Sequence, residues 1–233
     1  ILGIRVIVEC VLVGADDASA IGSARWRLLT KLAARRVAAF SVISTALRES
    51  LTENMPEAIV VYNPYGVDTT VFRPATTLDK ASARKLLQIG ETDFVGVFVG
   101  NVNPRKDVLS LVAAWLHVAR LDPSRQWTLL IVGHNSGHLE YVSRIHALIA
   151  TAPYNAEVRL LGPRDDVPVI FRAADVYASA STAEGLGIAN VEALAAGLPV
   201  ICRYLPGITE DMQHGLAVTG LREWTPGTFS TAV

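Results

Sequence analysis

The sequence predicts an α/β fold built on a doubly wound parallel sheet, and three observations carry that expectation. Short apolar runs alternate with helical patterns along most of the chain, which is the signature of repeated β/α units. Gly100, Gly133 and Gly162 each stand at the end of such a run, where sheets of this kind bind ligands. With 51% hydrophobic and 18% charged residues among 233, the chain can also bury a substantial core.

The elements follow in order. Ile1 to Ala15 is apolar but broken by Arg5 and Glu9, so it reads as a strand entered in mid-domain, too short and charged to span a membrane. It also lacks the small-residue cleavage pattern of a signal peptide. Gly22 to Ala39 is basic and amphipathic, with Leu28, Leu29, Leu32 and Val37 set among Arg25, Arg27, Lys31, Arg35 and Arg36. A surface helix is the default there; peripheral contact with an anionic membrane or a lipid-linked acceptor is the functional alternative. A strand at Ala39 to Ile43, a helix at Ser44 to Glu53 and a strand at Ala58 to Val61 come next. Helices are then expected at Leu78 to Leu87, Val108 to Leu121, Leu139 to Ile149 and Pro168 to Ala173. Strands are expected at Phe94 to Val99, Trp127 to Val132, Val158 to Leu161 and Asp175 to Ala180. Thr225 to Val233 shows neither a periodic apolar face nor a helix stop, and both ends of the chain read as cut.

The most informative stretch runs from Ser181 to Val200. A strand leads into Glu184, Gly185, Leu186 and Gly187, and Ile188 to Ala196 then carries helix formers ended by Gly197 and Pro199. Glycines where a chain turns into a helix let a ligand approach the backbone, and free amides at the helix start favour anionic groups. Ser181 with Glu184 also fits a capping box, in which the carboxylate merely satisfies a backbone donor; the glycines directly after Glu184 argue for a loop instead. Glu192 stands among Val191, Ala193, Leu194, Ala195 and Ala196, and a charge in so apolar a setting needs a partner. In the loop after Phe94 to Val99, Arg105 and Lys106 precede a helix and could clamp a diphosphate. His134 and His138 read as solvated, since no carboxylate or cysteine accompanies them at ligand spacing.

Glu184 and Glu192, followed by Ala-Leu-Ala-Ala-Gly-Leu-Pro-Val, resemble the E-x7-E segment of retaining glycosyltransferases of family 4, which have the two-domain GT-B fold. Leu186 stands where that family usually has Phe. Asn63 to Asp68 and Phe72 to Pro74 resemble the family's passage between its two Rossmann-like domains, although Pro64-Tyr65 departs from the commoner order. The resemblance thus implies a remnant of the amino-terminal, acceptor-side domain at 1–67 and a nucleotide-sugar-binding domain at 68–233. Gly100 to Asp107 resembles the loop that reads Gly-Arg-x-x-x-x-Lys-Gly; Lys106 matches, whereas Asn101 replaces the Arg and Asp107 the second Gly. Gly162 and Pro163 fall in the loop resembling the one whose backbone cradles the nucleobase.

Covering about Ser41 to Gly215, the resemblance implies transfer of a sugar from a UDP- or GDP-type nucleotide sugar to a hydroxyl, with retention, no cofactor and no required metal. By that analogy Glu184 and Lys106 act on the transferred sugar and leaving diphosphate. Glu192 would hold the ribose, with Gly185, Leu186, Gly187, Ile188, Arg105, Gly100, Gly162 and Pro163 lining the donor site. The acceptor would be a glycan, a lipid-linked sugar or a small molecule, and the setting cytoplasmic, at most peripheral to the inner face of the membrane. A truncated or inactive nucleotide-sugar-binding module of the same fold is the alternative. A net charge of −1 without a basic block points away from nucleic acid. Cys10 and Cys202, each in an apolar run, read as reduced core residues.

Overall fold

The computed structural model describes residues 5–12, 36–135, 137–213 and 217–233. In chain order its elements are β1 (Ile7–Cys10), β2 (Ala39–Val42), α1 (Thr45–Asn54), β3 (Val60–Tyr62), α2 (Thr77–Leu86) and β4 (Phe94–Val99). A 3-10 turn (Pro104–Lys106) precedes α3 (Val108–Leu121), β5 (Trp127–Val132), α4 (Leu139–Ile149), β6 (Ala156–Gly162) and α5 (Val167–Ala173). The last elements are β7 (Val176–Ser179), α6 (Ile188–Ala195), β8 (Val200–Arg203), α7 (Thr209–Gln213), β9 (Val218–Leu221) and α8 (Pro226–Ser230). The cationic stretch expected from Gly22 lies, as far as Arg35, outside the described residues.

The chain divides into two compact units. One comprises Ile1–Gly66, Ala183–Gly187 and Leu205–His214; the other comprises Val67–Thr182, Ile188–Tyr204 and Gly215–Val233. In the first, β1, β2 and β3 pair in parallel in that order. Ser44 caps α1, its hydroxyl accepting from the Leu47 amide, and Leu47 and Leu51 bury one face of the helix together with Phe40 and Val42. Asp211 on α7 then closes the first turn of α1 by accepting from the Thr45 amide at 2.8 Å and its hydroxyl at 2.6 Å. A carboxylate is suited to that place, because the first amides of a helix lack intrahelical partners.

The second unit is a six-stranded sheet in the order β6-β5-β4-β7-β8-β9, every pairing parallel. Counted from β4, this is the doubly wound order 3-2-1-4-5-6, in which the chain reverses its direction of travel between β4 and β7. All six residues of β5 are buried, as a strand covered on both faces must be. Trp115 of α3 anchors the core: its ring lies 6.1 Å from Phe94, 5.6 Å from Trp127 and 6.3 Å from Phe229, and it is fully buried.

Phe229 corrects the reading of Thr225 to Val233 as a featureless tail. Thr225 forms a capping box with Thr228, Pro226 sits in the first turn, and fully buried Phe229 fastens the short helix to α3. A helix of five residues shows no period, so one aromatic carries the whole signal. Strand β6 begins at Ala156 rather than Val158, since it is an edge strand whose Glu157 and Arg159 pair with each other and break the apolar run.

At the amino ends of β4 and β7, Asp175 accepts from the amide of Val95 at 2.7 Å, from Lys80 at 2.6 Å and from Arg84 at 2.8 Å. Arg84, its side chain 6% exposed, also donates to the carbonyls of Ala173, Gly90 and Glu91, so α2 is pinned beneath the sheet. Asp175→Ala leaves that guanidinium buried without its carboxylate and should cost about 3 kcal/mol. An unchanged urea midpoint in equilibrium unfolding would refute this account of the network.

Candidate functional site

A doubly wound sheet binds its ligand outside the carboxyl ends of the strands, at the point where strand order reverses. Here that point lies between the loop after β4 and the loop after β7. Backbone hydrogen bonds knit the strand ends beside it: Gly100 donates to Val132 at 2.8 Å, Val102 to His134 at 2.8 Å and Gly133 to Gly162 at 2.9 Å.

The loop after β4 is held rigidly. The Asn103 side chain accepts from the Lys106 amide at 3.0 Å and closes the 3-10 turn, which orients two successive cations. Lys106 is half-buried, and its Cε lies 3.4 Å from the place where a Cβ on Gly100 would stand, so the side chain runs back along the loop. Across the reversal point, the Thr182 amide and hydroxyl both donate to the Arg105 carbonyl, at 2.8 and 3.0 Å. That pair of bonds joins the cationic loop to the segment that enters Glu184 two residues later. Thr182 was not among the expected site residues; its position next to Ser181 was the available signal.

Glu184 lies in a loop, four residues ahead of the first residue of α6, so the capping-box arrangement does not form. Its side chain is buried, as is that of Leu186, and Ile188 opens the helix at 41% exposed. Gly185 meets a different demand from the expected one. The space where its Cβ would stand is filled by the Val11 carbonyl, so the protein's own backbone already requires a glycine there. Gly187, at φ +75°, does adopt the left-handed conformation that glycine favours.

Helix α6 carries Glu192 and ends in a Schellman motif: the Leu198 amide reaches the Ala193 carbonyl at 2.9 Å and the Gly197 amide that of Leu194 at 3.0 Å. Asn190 and Ala193 face inward. Glu192 is half-buried, and burial pushes its carboxyl above the ordinary glutamate value. An anionic acceptor held in partly apolar surroundings is suited to a ligand that brings hydroxyl donors.

Gly162 has φ +68° with open space beside it, and exposed Pro163 precedes Arg164, which forks onto Asp166 at 2.7 and 2.6 Å. Each of these two charges stabilises the other, raising the guanidinium's pKa and lowering the carboxyl's. His134 and His138 are exposed, and among the described residues no three His, Cys, Asp or Glu side chains gather as metal ligands would. Cys10 and Cys202 are buried and form no disulfide.

Fold and reversal point together define a Rossmann-like, parallel-sheet α/β protein of the GT-B type. The family model for glycosyl transferases group 1 matches residues 93–230, more than half of the chain, and the chain belongs to that family. It is 33% identical over 176 residues to a D-inositol 3-phosphate glycosyltransferase of Salinispora arenicola, an overlap covering 71% of this chain and 39% of that protein. It is 28% identical over 183 residues to the lipopolysaccharide core biosynthesis mannosyltransferase LpsB of Rhizobium meliloti, covering 78% and 50%. Its fold matches Anabaena HepE in complex with UDP and glucose at a TM-score of 0.75, with 24% identity over 97% of this chain and 61% of that one. WaaG, a glycosyltransferase involved in lipopolysaccharide biosynthesis, matches at 0.76 with 16% identity, covering 97% and 64%. The chain spans between 35% and 50% of the length of the curated relatives it matches.

The state of Glu192 has a measurable consequence. A carboxyl whose pKa is raised by folding binds more protons in the folded than in the unfolded state, so stability falls as pH rises from the ordinary glutamate range through the folded value. Glu192→Gln removes that loss. In nucleotide-free urea titrations the variant should equal wild type near pH 4 and gain on it above the folded pKa; a constant gap at every pH would contradict the assignment.

Proposed function

We propose that this chain carries the donor half of a retaining glycosyltransferase of family 4, which moves a sugar from a nucleoside-diphosphate sugar of the UDP or GDP type to a hydroxyl. The observation that carries the reading is the E-x7-E segment set at the order reversal of a family-matched sheet, with a cationic loop tied to its entrance by Thr182. HepE, a neighbour in fold, has been crystallised with UDP, glucose and UDP-glucose, which supports a nucleotide sugar as ligand.

Each residue then has a physical task. Glu192 accepts from the ribose hydroxyls, which replace the water its burial removes. Lys106, with Arg105, balances the charge that grows on the diphosphate as the glycosidic bond breaks, and no metal ion is required for that. Glu184 hydrogen-bonds the transferred sugar and stabilises its oxocarbenium-like centre. The backbone from Gly185 through Ile188 faces the sugar and phosphates, and Gly162 and Pro163 adjoin the base. The acceptor is a glycan, a lipid-linked sugar or a small molecule, met on the cytoplasmic side. Among the described residues no helix is long and apolar enough to cross a membrane.

Calorimetry with UDP, GDP and ADP tests the donor site, and at least one should bind. Glu192→Ala should weaken that binding by about tenfold to a hundredfold, the worth of a hydrogen bond to a charged acceptor. Glu184→Ala should leave nucleoside-diphosphate affinity unchanged while abolishing the extra affinity of the nucleotide sugar. Equal losses in both variants would overturn this division of roles. Incubation of the chain with α-configured UDP- or GDP-sugars, followed by NMR of the released or transferred sugar, should show the α-configuration retained; a β-configured first product would exclude the retaining reading.

Because the chain spans under half the length of most of these relatives, a second reading stands beside the first: a donor-binding module that transfers sugar weakly by itself. Orienting an acceptor hydroxyl against the donor can account for about 7 to 11 kcal/mol of a barrier. Donor binding with slow hydrolysis and little transfer to a membrane extract favours this second reading.

A further inference from the structure

Asp107 occupies a demanding position. It directly follows Lys106 and precedes α3, its backbone lies in the left-handed region at φ +46° and ψ 42°, and its side chain makes no hydrogen bond to the helix start. Asp tolerates that conformation better than most residues, yet it sets a negative charge directly after the cations Arg105 and Lys106. Its carboxylate is engaged by Arg203, whose Nη2 donates to it at 2.8 Å. The same guanidinium donates from Nε to the Ala180 carbonyl at the end of β7, 3.0 Å away, and stands 6.0 Å from the centre of the Trp224 ring. From the end of β8, Arg203 therefore ties the loop after β4 to the exit of β7, the two strands that flank the order reversal. The ion pair is partly sheltered, with side chains 24% and 22% exposed.

We propose that Arg203 is a positioning residue of the donor-phosphate site: it neutralises Asp107 and fixes the turn that aims Lys106, so that a diphosphate meets net positive charge. The inference rests on the donor-site reading above. Without Arg203, the Asp107 carboxylate faces the phosphates unscreened, and the turn after Lys106 loses its tether to Ala180. With glycine at 107 the repulsion is gone, and Arg203 becomes a further cation beside the phosphates.

The test is a double-mutant cycle in the 233-residue chain, comparing wild type, Arg203→Ala, Asp107→Gly and the double variant. Affinity for UDP, GDP and ADP is measured at low and high salt, and thermal melting reports folding. Arg203→Ala should weaken the nucleotide that wild type binds by about tenfold, and added salt should shrink the loss, as for a charge effect. Asp107→Gly should bind as tightly as wild type or more so, and adding it to Arg203→Ala should recover most of the loss. A purely structural role would show the loss and its rescue in the melting temperatures alone and leave the four chains with equal nucleotide affinity while folded. If Arg203→Ala does not fold, Arg203→Met, which keeps the aliphatic stem, is read the same way. Wild-type binding without rescue at position 107 overturns this inference alone; failure of wild type to bind any of the three overturns the donor-site reading and this inference with it.

Discussion

The constraint on which the second unit depends is the burial of its central strands on both faces. Every residue of β5 is buried, and β4 is buried from Val95 to Phe98, so neither strand has room for a working side chain along its middle. Parallel strands so covered must be joined by helical crossovers, which leaves the loops at the two ends of the sheet as the places where charge can stand. Trp115 makes this possible by filling the layer between sheet and helix with one large side chain, against which Phe94, Trp127 and Phe229 converge from three separate stretches of sequence. Function is displaced to the strand ends by the same packing that holds them in register.

The two ends use charge differently. At the amino end a cavity of about 480 Å³ is lined by Lys80, Arg84, Arg125, Asp93 and Asp175, and its size alone would make it a candidate site. Several of its charged groups are already engaged: Asp175 takes three donors, Arg84 gives to three carbonyls besides, and Arg125 lies over the rings of Phe94 and Trp127. Such engagement fastens a helix and leaves less for a ligand. At the carboxyl end the bonds fall on the backbone of the cationic loop instead, where Asn103 accepts from the Lys106 amide and Thr182 donates to the Arg105 carbonyl.

Local signals were legible in the sequence and long-range ones were not. Helix α3 and strands β4 and β5 have the bounds expected of them, because each is a strong apolar pattern bounded by glycine, proline or polar residues. Lys106 and the two glutamates could be singled out because they stand within short motifs. The pairing of Asp107 with Arg203 joins residues 96 apart, and nothing in either neighbourhood announces it. Elements α7 and β9 escaped for another reason: five and four residues are too few to display a period, and they are held by tertiary partners such as the Thr45 contacts of Asp211. Gly185 shows a further limit, since a sequence reveals that a side chain is missing without revealing what fills its place; here it is the Val11 carbonyl.

The contrast between Glu184 and Glu192 shows how one residue type can be given two behaviours within eight positions. Glu184 sits in an irregular loop whose conformation is fixed by tight backbone packing at Gly185 and a left-handed turn at Gly187, so its direction is set by the chain rather than by a helix. Glu192 projects from a regular helix with an apolar surround, and its carboxyl is raised by burial. A group whose charge is disfavoured in the free protein gains more from a ligand that donates hydrogen bonds than an exposed carboxylate does, because the penalty of its burial is relieved on binding. One carboxyl is thus held in a loop fixed by its glycines and the other on a half-buried helix face, so identical side chains eight positions apart meet different surroundings.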